Sequence, residues 1–323
     1  MTTAFVLSGG ASLGAIQVGM LRVLAERDIR PDVIVGTSVG AVNGAFLACR
    51  DFGPEAVDEL AELWLGIRRG QVFPVEPFTG LLGFLGARRN LVPGGALRRL
   101  LTRNTDCERF EDLATPLHVI ACDVRSGQEV RISEGPLVDA VMASAAIPGV
   151  LPPVERDGRL LVDGGVLNNT PITHAVDLGA DEIYVLPSGG PCDLPSAPRG
   201  ALGMVVQATS LMVSHRFAAE SIEYAGRAGL TILPPPCPID VQPMDFGHAE
   251  ELMARAETSA RGFFASTQPD DSRSVGGRHE APRVDPPLRR PHDRTAGRGR
   301  AAPGVGDARP RRRPAVAERP LQR

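Results

Sequence analysis

The chain of 323 residues contains no lysine; all 35 of its basic residues are arginine. A P-loop uses a lysine to reach the β- and γ-phosphates, so that class of nucleotide site is excluded. Aromatic residues make up only 4% of the chain, with a single tryptophan, Trp64. No apolar run approaches the ~18 residues that mark a membrane-spanning helix. The N-terminus begins apolar but has no basic segment, and Gly9 and Gly10 cut its apolar run. It reads as a strand of the mature fold rather than a signal peptide. The five cysteines (Cys49, Cys107, Cys122, Cys192 and Cys237) are odd in number, scattered, and include no CxxC. That pattern speaks against a disulfide framework and against a zinc site. Small buried thiols in a reducing cytoplasm are expected, with no metal and no cofactor.

Charge is unevenly spread. The net value is −3, yet from Pro269 onward 14 Arg stand against 7 acidic residues. That leaves 21 Arg against 31 Asp and Glu in the body. An acidic body argues against nucleic-acid binding as the main task. The stretch after Pro269 is rich in Pro, Arg and Gly and has too little apolar surface to offset its conformational entropy. The expected organisation is therefore a folded domain over 1–268 and a disordered tail over 269–323. The tail's Arg311-Arg312-Arg313 run suits anionic lipid headgroups, although plain solvation is the simpler reading.

The chain as a whole is 43% hydrophobic, ample for a core. Ala4 to Leu7 and Val33 to Val35 are short apolar runs, each followed by a glycine-rich turn. Helical spacing then starts near Leu13 (Ile16, Met20, Leu21, Leu24), and again from Ala41 to Cys49. Further strands are expected at Leu117 to Cys122, Glu129 to Ser133, Leu160 to Val162, Glu182 to Leu186 and Thr231 to Leu233. Further helices are expected at Pro54 to Ile67, Gly95 to Arg103, Leu137 to Ala145, Ile172 to Leu178, Leu202 to Ala225 and Ala249 to Phe264. The alternation implies an α/β fold, a three-layer α/β/α arrangement around a mostly parallel sheet. Residues 70–96, rich in Gly, Pro and Phe, read as an irregular apolar insertion: a lid, a lipid-contact surface, or simple core packing.

Three glycine-rich turns carry chemistry. Gly36-Thr37-Ser38-Val39-Gly40 is a G-x-S-x-G between an apolar strand and a small-residue helix, the context of a nucleophile elbow. A plain strand-to-helix turn would look the same. Ser8-Gly9-Gly10-Ala11-Ser12-Leu13-Gly14 leaves backbone N–H groups free to hold an oxyanion or a phosphate. It also fits a loose dinucleotide fingerprint, but that needs an acidic residue at the end of the second strand. Here the strand ends in Gly36-Thr37-Ser38, and Asp32 lies on its wrong side. Asp163-Gly164-Gly165 puts a carboxylate at a strand end. All three turns are expected along one edge of a parallel sheet.

Together these segments resemble the patatin-like phospholipases. Leu7 to Ala15 resembles the family's glycine-rich oxyanion motif, and Gly36 to Ala41 its nucleophile elbow. Ala143-Ser144-Ala145-Ala146-Ile147-Pro148-Gly149, followed by Pro152-Pro153-Val154, is similar to the stretch before its catalytic Asp. Val162 to Val166 resembles its D-G-G/A motif. The order and spacing match, over roughly residues 4–265. One departure is Leu13, where many members carry Arg or Lys; it leaves headgroup preference open.

The resemblance implies a serine lipid acyl hydrolase with a Ser–Asp dyad and no histidine. Ser38 would be the nucleophile and Asp163 its base. Gly10 and Ala11 would donate backbone N–H groups to the oxyanion, with Gly9 shaping the turn and Gly36 and Gly40 flanking the elbow. Burial should raise the Asp163 pKa and make it a better base. The implied partner is a lipid ester, with peripheral contact to a membrane surface from the cytoplasm. Two alternatives stand beside this. One is a His-dependent α/β-hydrolase using His215 or His248, with His118 and His174 structural. The other is a lipid-binding protein on the same scaffold that turns nothing over.

Overall fold

A computed structural model describes residues 1–74, 89–189, 200–226 and 229–267. The first strand, β1 (Thr3–Leu7), shows how the layers arise. Phe5 and Leu7 point into the larger of two apolar cores, Ala4 and Val6 into the other. A strand buried on both faces belongs in the middle of a parallel sheet. β2 (Val33–Thr37) lies parallel on one side of β1, and β7 (Glu182–Leu186) parallel on the other. β8 (Gly229–Ile232) extends the sheet beyond β7, and β3 (Leu117–Asp123) extends it beyond β2, both parallel.

Past β3 the sheet turns antiparallel. The turn at Arg125-Ser126-Gly127 returns the chain as β4 (Gln128–Ile132), paired with Val119–Asp123 of β3. β6 (Arg159–Asp163) also pairs antiparallel with β3, over Ala121–Asp123, while β2 pairs with Leu117–Ile120. A strand has two edges. β4 overlaps both other partners, so it takes one edge, and β2 and β6 share the other. They meet end to end: Thr37 faces Ile120, and Asp163 faces the next residue, Ala121. β5 (Val154–Arg156) closes a hairpin on β6 through Asp157 and Gly158, both at positive φ, as two-residue hairpin turns require.

Helices cover both faces. α1 (Ala15–Glu26), α2 (Val39–Ala48) and α3 (Pro54–Gly66) pack on the larger core. So do the short α4 (Arg69–Val72), α5 (Gly95–Asn104) and α6 (Leu137–Ser144). The opposite face is covered by α7 (Ile172–Asp177) and the long α8 (Gly200–Tyr224), through Ile172, Ala175, Phe217 and Tyr224. α9 (Ala249–Thr267) returns to the first face, setting Leu252, Met253 and Ala256 in the larger core. The result is the expected three-layer α/β/α fold.

Some expectations change. α1 starts at Ala15, not Leu13, because Ala11–Gly14 forms a 3-10 turn; the Ser12 N–H there is taken by the Pro243 carbonyl. Asp163 does not end a parallel strand, since β6 runs against β3. Cys237 is disulfide-bonded, whereas Cys49, Cys107 and Cys122 are free thiols. Scatter along the sequence says nothing of which sulfurs a fold brings within bonding distance. No helix among the described residues is long and apolar enough to cross a membrane. The expected tail over 269–323 lies outside the described residues. So do residues 75–88 of the insertion. Of its described part, Val72 and Phe73 are buried core.

Candidate active site

Ser38 stands where β2 ends and α2 begins. Its backbone sits at φ 55, ψ −121, a region that a residue with a Cβ enters only under constraint. Two features supply the constraint. The Ser38 N–H donates to Ser144 Oγ at 2.8 Å, and Ser144 Oγ donates to the Ile120 carbonyl at 2.6 Å. One fully buried hydroxyl thus ties the elbow to β3. Second, α2 presses on β1: a Cβ on Gly40 would lie 2.1 Å from the Leu7 carbonyl oxygen. Only glycine lets the helix start this close, and its N-terminal dipole then faces the serine.

Asp163 arrives from the other side. The Ser38 hydroxyl donates to Asp163 Oδ2 at 2.6 Å, and the Gly165 N–H donates to Asp163 Oδ1 at 2.8 Å. The carboxyl is 6% exposed. Burial pushes its pKa up to about 6, against the opposing pull of the Ser38 and Gly165 hydrogen bonds. Desolvation disfavours the ion more than two donors restore it.

The glycine-rich loop closes the third side. The Gly9 N–H donates to the Asn169 carbonyl at 3.0 Å, and Asn169 Nδ2 donates back to the Gly9 carbonyl at 3.2 Å. A Cβ on Gly9 would meet Asn169 Oδ1 at 2.4 Å and Ser38 Cβ at 3.0 Å. Gly9 therefore brings the loop against the serine, and its own N–H is occupied. Among the described residues, the Gly10 and Ala11 N–H groups have no hydrogen-bond acceptor. Ala11 is held at φ 51 and lines a cavity together with Ser38. Leu13 is partly buried against the larger core.

Two polar networks hold these loops. Behind the glycine loop, Gln17 Nε2 donates to the Ser8 and Leu186 carbonyls and to Ser188 Oγ. Asn43 Nδ2 donates to Gln17 Oε1, and Trp64 Nε1 donates to Asn43 Oδ1. Beside Asp163, Thr37 Oγ1 donates to the Asn168 carbonyl at 2.9 Å. Asn168 Nδ2, His174 Nε2 and Arg216 all converge on the Glu129 carboxylate, and Arg216 also donates to the Leu167 carbonyl. Burial raises the Glu129 pKa, but these donors outweigh it and hold the carboxyl at about 2. Of these side chains, only Thr37 lies in a motif that stood out in the sequence.

The cavity beside Ser38 holds about 720 Å³, its open mouth included. Its wall is largely apolar and includes Phe46, Trp64, Phe73, Leu97, Leu101 and Phe246. Phe246 stacks with Trp64 at 6.2 Å between ring centroids. The four described histidines lie elsewhere. His174 is bound to Glu129, His248 is paired with Asp245 and Glu251, and His215 is exposed on α8. Burial lowers the His118 pKa to about 4. Among the described residues, no group of three or more His, Cys, Asp or Glu side chains is placed to hold a metal ion.

The family model for patatin-like phospholipase matches residues 5–176, more than half of the chain. Patatin-like phospholipase domain-containing protein 6 of Mus musculus is 30% identical over 190 residues, 58% of this chain and 14% of that protein. An NTE family protein of Mycobacterium tuberculosis is 32% identical over 179 residues, 55% of this chain and 46% of its own length. The chain thus spans less than half the length of either relative. Among solved structures, human GIVD cytosolic phospholipase A2 aligns with a TM-score of 0.42 and 12% identity, over 82% of this chain and 58% of that one.

Two predictions follow from the geometry. Ser144→Ala leaves a buried N–H and a buried carbonyl without their shared partner. It should cost roughly 1–3 kcal/mol of stability, read as a lower urea midpoint; an unchanged midpoint would show that the elbow does not depend on this hydroxyl. The second concerns Asp163. Its folded pKa lies above its unfolded value, so the stability it contributes is present below about pH 4 and lost as pH rises through about 6. Asp163→Asn should therefore stabilise the fold at pH 8 by on the order of 3 kcal/mol. That advantage should vanish near pH 4. An equal difference at both pH values would contradict a strained carboxylate.

Proposed function

Because the chain belongs to the patatin-like phospholipase family, we propose that it is a serine lipid acyl hydrolase working through a Ser38–Asp163 dyad. The carrying observation is the 2.6 Å hydrogen bond from the Ser38 hydroxyl to Asp163, made without an intervening histidine, at the wall of an apolar cavity. Asp163 takes the Ser38 proton as Oγ attacks the ester carbonyl. The carbonyl oxygen becomes the oxyanion, held by the Gly10 and Ala11 N–H groups. Asp163 then passes the proton to the leaving alcohol as the C–O bond breaks. Water, deprotonated by Asp163, attacks the acyl-Ser38 ester; the acyl–Oγ bond breaks, Asp163 returns the proton to Ser38 Oγ, and the fatty acid leaves. The acyl chain lies in the cavity, where apolar burial supplies the binding energy. Gly9 serves as the close-approach position, and Gly36 and Gly40 shape the elbow.

An ordinary exposed Asp is a weak base at neutral pH. A pKa near 6 brings the dyad close to the pH at which a general base works best. The charged base is the active form, so kcat/KM should rise with pH through about 6 and level off above it.

The deciding assay follows fatty acid release from phospholipids and from soluble p-nitrophenyl esters. Ser38→Ala and Asp163→Asn should each lose at least about a thousandfold in kcat with folding intact. His215→Ala and His248→Ala should keep the wild-type rate. A free histidine also titrates near pH 6.5, so the histidine variants, not the pH profile, separate the dyad from a His-dependent hydrolase. An inert wild type across the ester panel would move the lipid-binding alternative to the front.

A further inference from the structure

Helix α8 changes character along its length. From Phe217 to Tyr224 it packs on the sheet: Phe217 and Tyr224 join the second core, and Glu220 is buried. Arg216 marks the boundary. It is bonded to the Leu167 carbonyl and to Glu129, both beside the turn that follows Asp163. Arg216 therefore stands level with the edge of the sheet that carries the Ser38–Asp163 pair. Residues N-terminal to it run on past that edge.

At 1.5 Å per residue, Met204 lies about 18 Å along the axis beyond Arg216. Every described residue from Ala208 to Met212 is exposed. Met204 is 55% exposed, Leu211 59% and Met212 74%. From Gly200 to His215 the sequence holds no Asp, Glu or Arg. Val166, in the turn after Asp163, is also exposed at 53%. Large apolar side chains exposed together on an uncharged stretch of helix, here Met204, Leu211 and Met212, mark an interaction site.

We infer that the projecting half of α8 inserts into a lipid surface and holds the active-site edge against it. This rests on the lipid-hydrolase reading above. Three observations favour lipid over a protein partner. The surface projects from the edge that would receive a lipid ester. It carries no charged side chain with which a protein partner could be selected. The stretch from Gly200 to His215, sixteen residues without Asp, Glu or Arg, falls short of the roughly 20 needed to span a bilayer, which fits a helix seated in the interface. Apolar insertion alone needs no anionic headgroup, so neutral phosphatidylcholine vesicles are sufficient and salt has little effect on binding.

The test is flotation of the full chain, carrying Ser38→Ala to protect the lipid, with phosphatidylcholine vesicles in low and high salt. Leu211→Glu with Met212→Glu should lower the ratio of bound to free protein at least about tenfold. Ile222→Glu, on the sheet-packed half though 81% exposed, should leave it unchanged. With Ser38 intact, both variants should hydrolyse a soluble p-nitrophenyl ester at the parent rate. If the parent does not float, or if the double variant floats as well as the parent, the inference falls. It falls equally if the parent proves to be a dimer that the double variant splits, since the face then belongs to a second copy. Flotation without hydrolysis of any ester would refute the catalytic reading and leave the lipid surface standing.

Discussion

The hydrogen bond between Ser38 and Asp163 exists because β2 and β6 occupy successive halves of one edge of β3. β2 delivers the serine from below, and β6 delivers the aspartate from above. The ladder to β3 fixes both, so the separation of the two side chains is set by backbone pairing rather than by loop packing. That matters for the dyad proposed above. With no third residue to absorb an error in position, its serine and aspartate must be aligned by the scaffold itself. The strained Ser38 backbone, the Gly40 contact with β1 and the Ser144 tie to β3 all serve the same alignment.

Two carboxylates near that edge, Asp163 buried and Glu129 half-buried, show how environment divides labour. Asp163 receives two donors, neither of them charged, and burial leaves it with a raised pKa. Glu129 receives Asn168, His174 and Arg216, and is held ionised well below the usual range. The first can take a proton near neutrality. The second keeps its charge and clamps the loop that follows Asp163. The two shifts are opposed because one acid has only neutral donors and the other faces Arg216. Arg216 also joins the clamp to α8, so that helix is bonded to the loop that follows Asp163.

The folded body was legible in the sequence wherever a local period reported it. β7 runs over the five residues that its apolar pattern marks, and the G-x-S-x-G and D-G-G turns fall at strand ends as their glycines require. The hairpin of β5 and β6 had a signal too, in Asp157-Gly158, but three-residue β5 is too short to show a period. Ser144 lay in a recognisable segment without showing its task. Gln17, Asn43 and Glu129 left no mark, because the groups they bind lie far away in the chain.

The sequence by itself determined the alternation of strands and helices, the positions of the three glycine turns and the residue types able to react. These are local properties, set by side-chain period, by backbone freedom at glycine and by the chemistry of Ser and Asp. Tertiary structure alone decided that β6 runs antiparallel, that it shares an edge with β2, and that Asp163 is buried enough to be a base near neutral pH. An apolar strand reads the same in either direction, and desolvation depends on everything packed around a group. Neither is a property of any short stretch of chain.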